Sequence, residues 1–88
     1  MLSEHAAYSF TANDADDNEF TVFVMANRST VVTQVQVVRQ PGRFTRMVTD
    51  GDRPVEFVAP GEFRMLVGRD WVKLTSAHPG APKQWPPN

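Results

Sequence analysis

The residues whose types and spacing come nearest to a chemical site form the run Asn13-Asp14-Ala15-Asp16-Asp17-Asn18-Glu19. Asp14, Asp16 and Asn18 stand at the alternate spacing with which loops present oxygen ligands to calcium. The EF-hand pattern nevertheless breaks at two places. Glu19 occupies the position of the turn glycine, and Met25 stands where the bidentate glutamate belongs. A solvated acidic loop between two strands is the preferred reading, and no metal is expected.

The other chemically capable side chains are scattered. His5 lies near one end and His78 near the other, without an acid–base partner or a second ligand at useful spacing. Ser3, Ser9, Ser29 and Ser76 lack a nucleophile-elbow context, and the glycines form no phosphate-binding loop. The pattern predicts a non-enzyme with no catalytic residue and no cofactor.

Arg39, Arg43, Arg46, Arg53, Arg64 and Arg69, with Phe44 among them, suit a patch for single-stranded nucleic acid on a barrel face. Asp50, Asp52, Glu56 and Glu62 interrupt that series, and Phe44 and Phe63 alternate like core residues. A mixed-charge outer sheet face is the simpler account. The seven arginines against two lysines suit ordered protein contacts, because the guanidinium makes bidentate bonds.

Periodicity identifies the elements that carry these residues. In Thr30 to Arg39, Val31, Val35 and Val37 share one face while Thr30, Gln34 and Gln36 share the other. Glu19 to Ala26 is apolar on both faces, as in a strand covered on both sides, and Ala6 to Ala12 is a weaker strand. Asn27-Arg28-Ser29 reads as the break between the first two long strands. Pro41-Gly42 and Pro60-Gly61 suit type II turns, Asp50-Gly51 a hairpin, and Gly68-Arg69-Asp70 a further turn before Trp71 to Thr75. The expected core is Phe20, Val22, Val24, Val31, Val35, Val37, Val55, Phe57, Phe63, Met65 and Val67, with Trp71 closing one end. The fold expected is all-β: about seven antiparallel strands in a β-sandwich, Ig-like or jelly-roll-like, or a small barrel.

Composition changes after Ser76, dividing the chain into a domain over 1–76 and an arm over 77–88. The arm holds four of the seven prolines and is expected to be extended. Trp85 is a large aromatic in a polar tail, and such residues anchor interfaces. Trp85, Pro86, Pro87, Pro82 and His78, together with Arg69, are therefore the candidate partner-binding residues. Three placements suit Trp85: folded back on its own domain, docked on a neighbour, or hanging free, and docking is the expectation. Deleting 77–88 is expected to leave a folded domain that binds its partner less well.

Charge and length bound the rest. Residues 1–27 carry five acids and no Lys or Arg, whereas 28–88 carry nine Lys and Arg against five acids. The net charge of −1 disfavours a dedicated nucleic-acid binder. No apolar run approaches the roughly 20 residues of a membrane-spanning helix, and Met1 to Ala7 does not read as a signal peptide. The expectation is a chain made in the cytoplasm. Eighty-eight residues without cysteine bury a small core with no disulfide to support it, which favours assembly with other subunits.

The stretch Thr49-Asp50-Gly51-Asp52-Arg53-Pro54-Val55-Glu56-Phe57-Val58-Ala59-Pro60-Gly61-Glu62-Phe63-Arg64-Met65-Leu66-Val67, followed by Trp71-Val72-Lys73-Leu74, resembles small β-sandwich virion proteins of tailed bacteriophages. The resemblance covers about residues 19–75. It implies a capsid decoration (cement) protein on the virion surface that bridges copies of the major capsid protein or other virion proteins. It also implies a homo-oligomer, a trimer foremost, with terminal arms reaching neighbours. A tail- or fibre-associated adaptor, or a small OB-like nucleic-acid-binding regulatory module, are the alternatives.

Overall fold

A computed structural model describes residues 2–32, 37–39 and 43–87, with side chains over 4–27 and 43–87. Seven strands appear among them: β1 (Leu2–Asn13), β2 (Glu19–Val32), β3 (Val37–Arg39), β4 (Arg43–Thr49), β5 (Pro54–Ala59), β6 (Glu62–Val67) and β7 (Asp70–Thr75). The protein is all-β, and every pairing between neighbouring strands is antiparallel.

The strands do not divide into the two layers of the expected sandwich. β1 pairs with β2 along its length and with β7 at Asn13↔Thr75, so β1-β2-β4-β5-β6-β7 closes into a six-stranded barrel, while β3 lies outside it on β2. Sandwich and barrel share the same in–out alternation. What separates them is a pairing between residues at opposite ends of the chain, which no local pattern encodes.

Hairpin chemistry follows the turn residues. Gly61, at φ 79, supplies the positive φ of the Pro60-Gly61 turn. Gly68, at φ 63, serves the β6–β7 turn between Val67 and Asp70. The Asp50-Gly51 hairpin forms differently from a two-residue turn. Asp52 takes the positive φ of 64, and the loop is closed by Thr49 N–H donating to the Arg53 carbonyl at 2.9 Å and Arg53 N–H donating to Thr49 Oγ1 at 3.1 Å. Pro41-Gly42 and Val35 lie outside the described residues, as do the side chains of Val31, Val37 and Arg39.

Asn27-Arg28-Ser29 is not a break. β2 runs through it, paired with β1 at Glu4↔Asn27, Ser3↔Arg28 and Leu2↔Ser29. No glycine or proline interrupts those three residues, and a pairing partner is present, so the extended backbone continues. Beyond Asn27↔Arg43, β2 leaves β4 behind and continues with β1 and β3 as a projecting ribbon. The molecule is correspondingly long, 55 × 26 × 17 Å.

The barrel interior holds Phe10, Ala12, Val22, Val24, Met47, Val55, Phe63, Met65 and Leu74, with Tyr8, Phe20, Phe44, Phe57, Val67 and Val72 packed at its margins. Phe10 and Phe63 meet at 5.0 Å between ring centroids, and Phe57 stands edge-on to Phe63 at 5.8 Å. Two irregularities in register place inward residues three apart. Skipping Thr45 lets Phe44 and Met47 both face inward opposite Ala26 and Val24, and a bulge at Ala7 does the same for β1. Trp71 does not close the core: it is 43% exposed. Its strand alternates Val72 and Leu74 inward, so Trp71 and Lys73 face out.

Candidate functional site

Two places gather side chains in ways that bear on function: the seam closed by the C-terminal arm, and the outer face of β5, β6 and β7.

The arm leaves β7 at Ser76, whose Oγ donates to the Thr11 carbonyl at 2.6 Å while its N–H donates to the Gly61 carbonyl at 2.9 Å. His78 N–H donates back to Ser76 Oγ at 3.2 Å, and His78 Nδ1 accepts from Gly80 N–H at 2.9 Å. Ala81 N–H then donates to the His78 carbonyl at 3.0 Å, closing a turn over Pro79-Gly80. These bonds hold the arm beside β1 and send it across the barrel. Among the described residues β4 and β5 pair at Met47↔Val55 and Val48↔Pro54 alone, so Arg43–Arg46 and Glu56–Ala59 diverge. Pro82 is buried, and Ala81 and Trp85 pack against the core. Trp85 sits at the divergence, over a cavity of about 260 Å³ bordered by Met47, Val55, Phe57, Arg46 and Glu56.

The arm thus docks on its own barrel. Trp85 is half-buried there, Pro86 and His78 are exposed, Pro87 is half-buried, and Arg69 lies exposed in the β6–β7 turn. The structure buries Pro82, packs Trp85 against the core and leaves Arg69 in the turn between β6 and β7.

The arginines also separate. Arg46 Nη2 lies 2.9 Å from Glu4 Oε1, and Thr45 Oγ1 donates to Glu4 Oε2 at 2.8 Å. The Arg46 bond, then that of Thr45, hold the Glu4 carboxyl below the usual carboxylate range, and Arg46 is raised in return. This tie joins the start of β1 to the irregular stretch of β4 across 42 residues of chain, and no sequence signal marks it. On the outer face Arg64 Nε donates to Glu56 Oε1 at 2.9 Å, and its guanidinium carbon lies 4.2 Å from the Trp71 ring centroid. Lys73 Nζ stands 3.5 Å from Glu62 Oε1, and Val58, in the bulge of β5, is 57% exposed. Sequence reasoning placed Trp71 inside, although Lys73 two residues away already marked that strand face as outer.

The acidic run forms the β1–β2 loop. Asp14 Oδ1 accepts from Asp16 N–H and Asn18 N–H at 2.9 Å each, and Asp14 Oδ2 accepts from Asn18 Nδ2 at 3.0 Å. The bond from the Asn18 side chain, foremost, lowers the Asp14 carboxyl below its ordinary value. Its oxygens are committed to closing the turn, with Asp17 at φ 64. Among the described residues no group of three or more His, Asp or Glu is arranged to hold a metal.

No family model matches the chain, and no curated protein and no solved structure matches it.

Proposed function

We propose that this chain is a non-enzymatic virion structural protein of a tailed bacteriophage, a capsid decoration protein that self-associates and bridges capsid subunits. The resemblance of residues 19–75 to small virion proteins supplies the family of roles. The observation that carries the reading is the ribbon of β1, β2 and β3, which runs past the barrel and makes a chain of 88 residues 55 Å long. Among the described residues, β3 and the first half of β1 have a strand on one side only. Such edges offer backbone donors and acceptors to a neighbouring subunit. Many modest contacts of this kind sum across a particle by multivalency. A tail-associated adaptor would use the same ribbon on another partner.

The closed barrel is what favours the second reading, an OB-like nucleic-acid module, since Trp71, Arg64 and Lys73 share one outer face. Glu56 and Glu62 beside those cations weigh against it. Quantitative mass spectrometry of purified particles tests the first reading. A fixed copy ratio to the major capsid protein is the expected result. Absence from particles, with a salt-dependent shift of single-stranded DNA, would establish the second.

A further inference from the structure

The loop between β4 and β5 joins a carboxyl group to an unrestrained piece of backbone. Asp50 is followed by Gly51, and no other aspartate or asparagine of the chain precedes a glycine. Both residues are exposed to water, as are Asp52, Arg53 and Pro54 after them.

The hydrogen bonds of the loop pass around this pair. Asp50 N–H donates to the Thr21 carbonyl at 3.0 Å, and Asp52 N–H to the Thr49 carbonyl at 2.9 Å. Arg53 N–H donates to Thr49 Oγ1. Among the described residues, the peptide group between Asp50 and Gly51 takes no part: its N–H donates to nothing and its carbonyl accepts nothing. The Asp50 carboxyl is equally uncommitted there, whereas the oxygens of Asp14 accept from Asp16 and Asn18. Gly51 has no Cβ to shield its nitrogen from the neighbouring carboxyl.

That arrangement suits one reaction. The Gly51 nitrogen attacks Asp50 Cγ while the carboxyl is in its acid form. A C–N bond forms, and one carboxyl oxygen leaves as water with its own proton and that of the nitrogen, closing a succinimide. Water then adds to either ring carbonyl and breaks its bond to the Gly51 nitrogen. Opening at Cγ restores Asp50, and opening at the backbone carbonyl leaves Gly51 attached through the side chain, as isoaspartate. Water is lost and regained, and nothing is oxidised or reduced.

We propose that Asp50 is a site of spontaneous isomerisation through a succinimide with Gly51, and that the modified loop loosens the β4–β5 hairpin. Isoaspartate routes the main chain through Cβ and Cγ, adding a backbone atom between Thr49 and Asp52. The bonds from Asp52 and Arg53 back to Thr49 span that stretch and depend on its length. The hairpin has little else to hold it. Among the described residues β4 and β5 pair at Met47↔Val55 and Val48↔Pro54 alone, and Pro54 has no N–H to donate.

The test ages the folded, full-length chain at neutral pH in warm buffer made with heavy-oxygen water. Methyl transfer by an isoaspartyl O-methyltransferase detects isoaspartate, and peptide fragmentation places it. The expected result is isoaspartate at position 50 carrying heavy oxygen, with little at Asp14, Asp16, Asp17, Asp52 or Asp70. Gly51→Ala is expected to lose the signal at 50. That variant should fold, because Gly51 lacks the positive φ of Gly61 and Gly68, and a Cβ there would meet Thr49 Oγ1 at an ordinary 3.8 Å. The aged native chain should unfold at a lower urea midpoint than the fresh chain, and aged Gly51→Ala should not shift. Isoaspartate at 50 that forms only when the chain is aged unfolded in urea would mean that the folded loop holds the peptide group fixed, and it overturns the site. Isoaspartate at 50 with an unmoved midpoint overturns the loosening of the hairpin.

Discussion

Ser76 donates its hydroxyl to the Thr11 carbonyl across 2.6 Å, joining positions 65 residues apart. The bond lies beside Asn13↔Thr75, the pairing that closes the barrel, and it is also where the arm begins. Closure and arm are therefore one structural feature. Ser76→Ala removes the donor to Thr11 and the acceptor for His78 N–H together. The expected loss is about 1 kcal/mol, typical of a partly buried hydrogen bond. Urea denaturation should show a lower midpoint with an unchanged slope.

Trp85 packs on its own barrel. It is half-buried on the core, so Trp85→Ala should cost about 2 kcal/mol, less than the roughly 3–5 kcal/mol of a fully buried tryptophan. Removing residues 77–88 also exposes the margin that Pro82 and Ala81 cover, and should destabilise the domain by more than Trp85→Ala. Thermal unfolding of both variants checks this. A truncated chain as stable as the native one would mean that the arm contributes no packing.

Gly61 and Gly68 both require positive φ, yet their surroundings differ. A Cβ at Gly61 would stand 3.3 Å from the Ser76 carbonyl, whereas nothing lies within 4 Å of one at Gly68. Gly68→Ala should therefore cost about 1 kcal/mol from backbone strain alone. Gly61→Ala should cost more, because the same strain is joined by a crowded backbone atom next to the hydrogen bond from Ser76. The order of the two unfolding midpoints is the measurement.

Glu4 makes stability depend on pH. Its folded carboxyl is held below the ordinary 4.5 by Arg46 and Thr45. A depressed folded value means the contribution is present above the unfolded value and is lost as pH falls through the folded one. The native chain should exceed Glu4→Gln in stability at neutral pH, and the gap should narrow below pH 4.5. A gap that stays constant from neutral pH to pH 3 would exclude the Arg46 tie as its origin. The pair is solvent-exposed, so added salt should also shrink the difference.

How far the sequence could be read depends on the distance over which each feature is encoded. Alternation in Pro54–Ala59 and Glu62–Val67, and the β-branched and aromatic content of Glu19–Ala26, marked strands, and Val22, Val24, Val55, Phe63 and Met65 are buried as expected. Asp50-Gly51 and Pro60-Gly61 marked hairpins because a turn is decided by neighbours in the chain. Phe10, Ala12, Met47 and Leu74 were not legible as core. Three of them, Phe10, Ala12 and Met47, stand on strands whose register shifts at Ala7 and Thr45, so a simple period of two cannot be carried through. The ribbon was hidden for a related reason. Asn27-Arg28-Ser29 is polar enough to read as a break, and it stays extended because β1 pairs with it.

By itself, then, the sequence determined an all-β chain, most of its strands and turns, and a change to proline-rich composition after Ser76. The tertiary structure decided that the strands close on themselves through Asn13↔Thr75, that Trp85 turns onto its own barrel, and that Trp71 faces out. Strand identity follows from side chains a few residues apart. Closure, and the side on which each tryptophan lies, depend on contacts between distant segments that exist only once the barrel has formed.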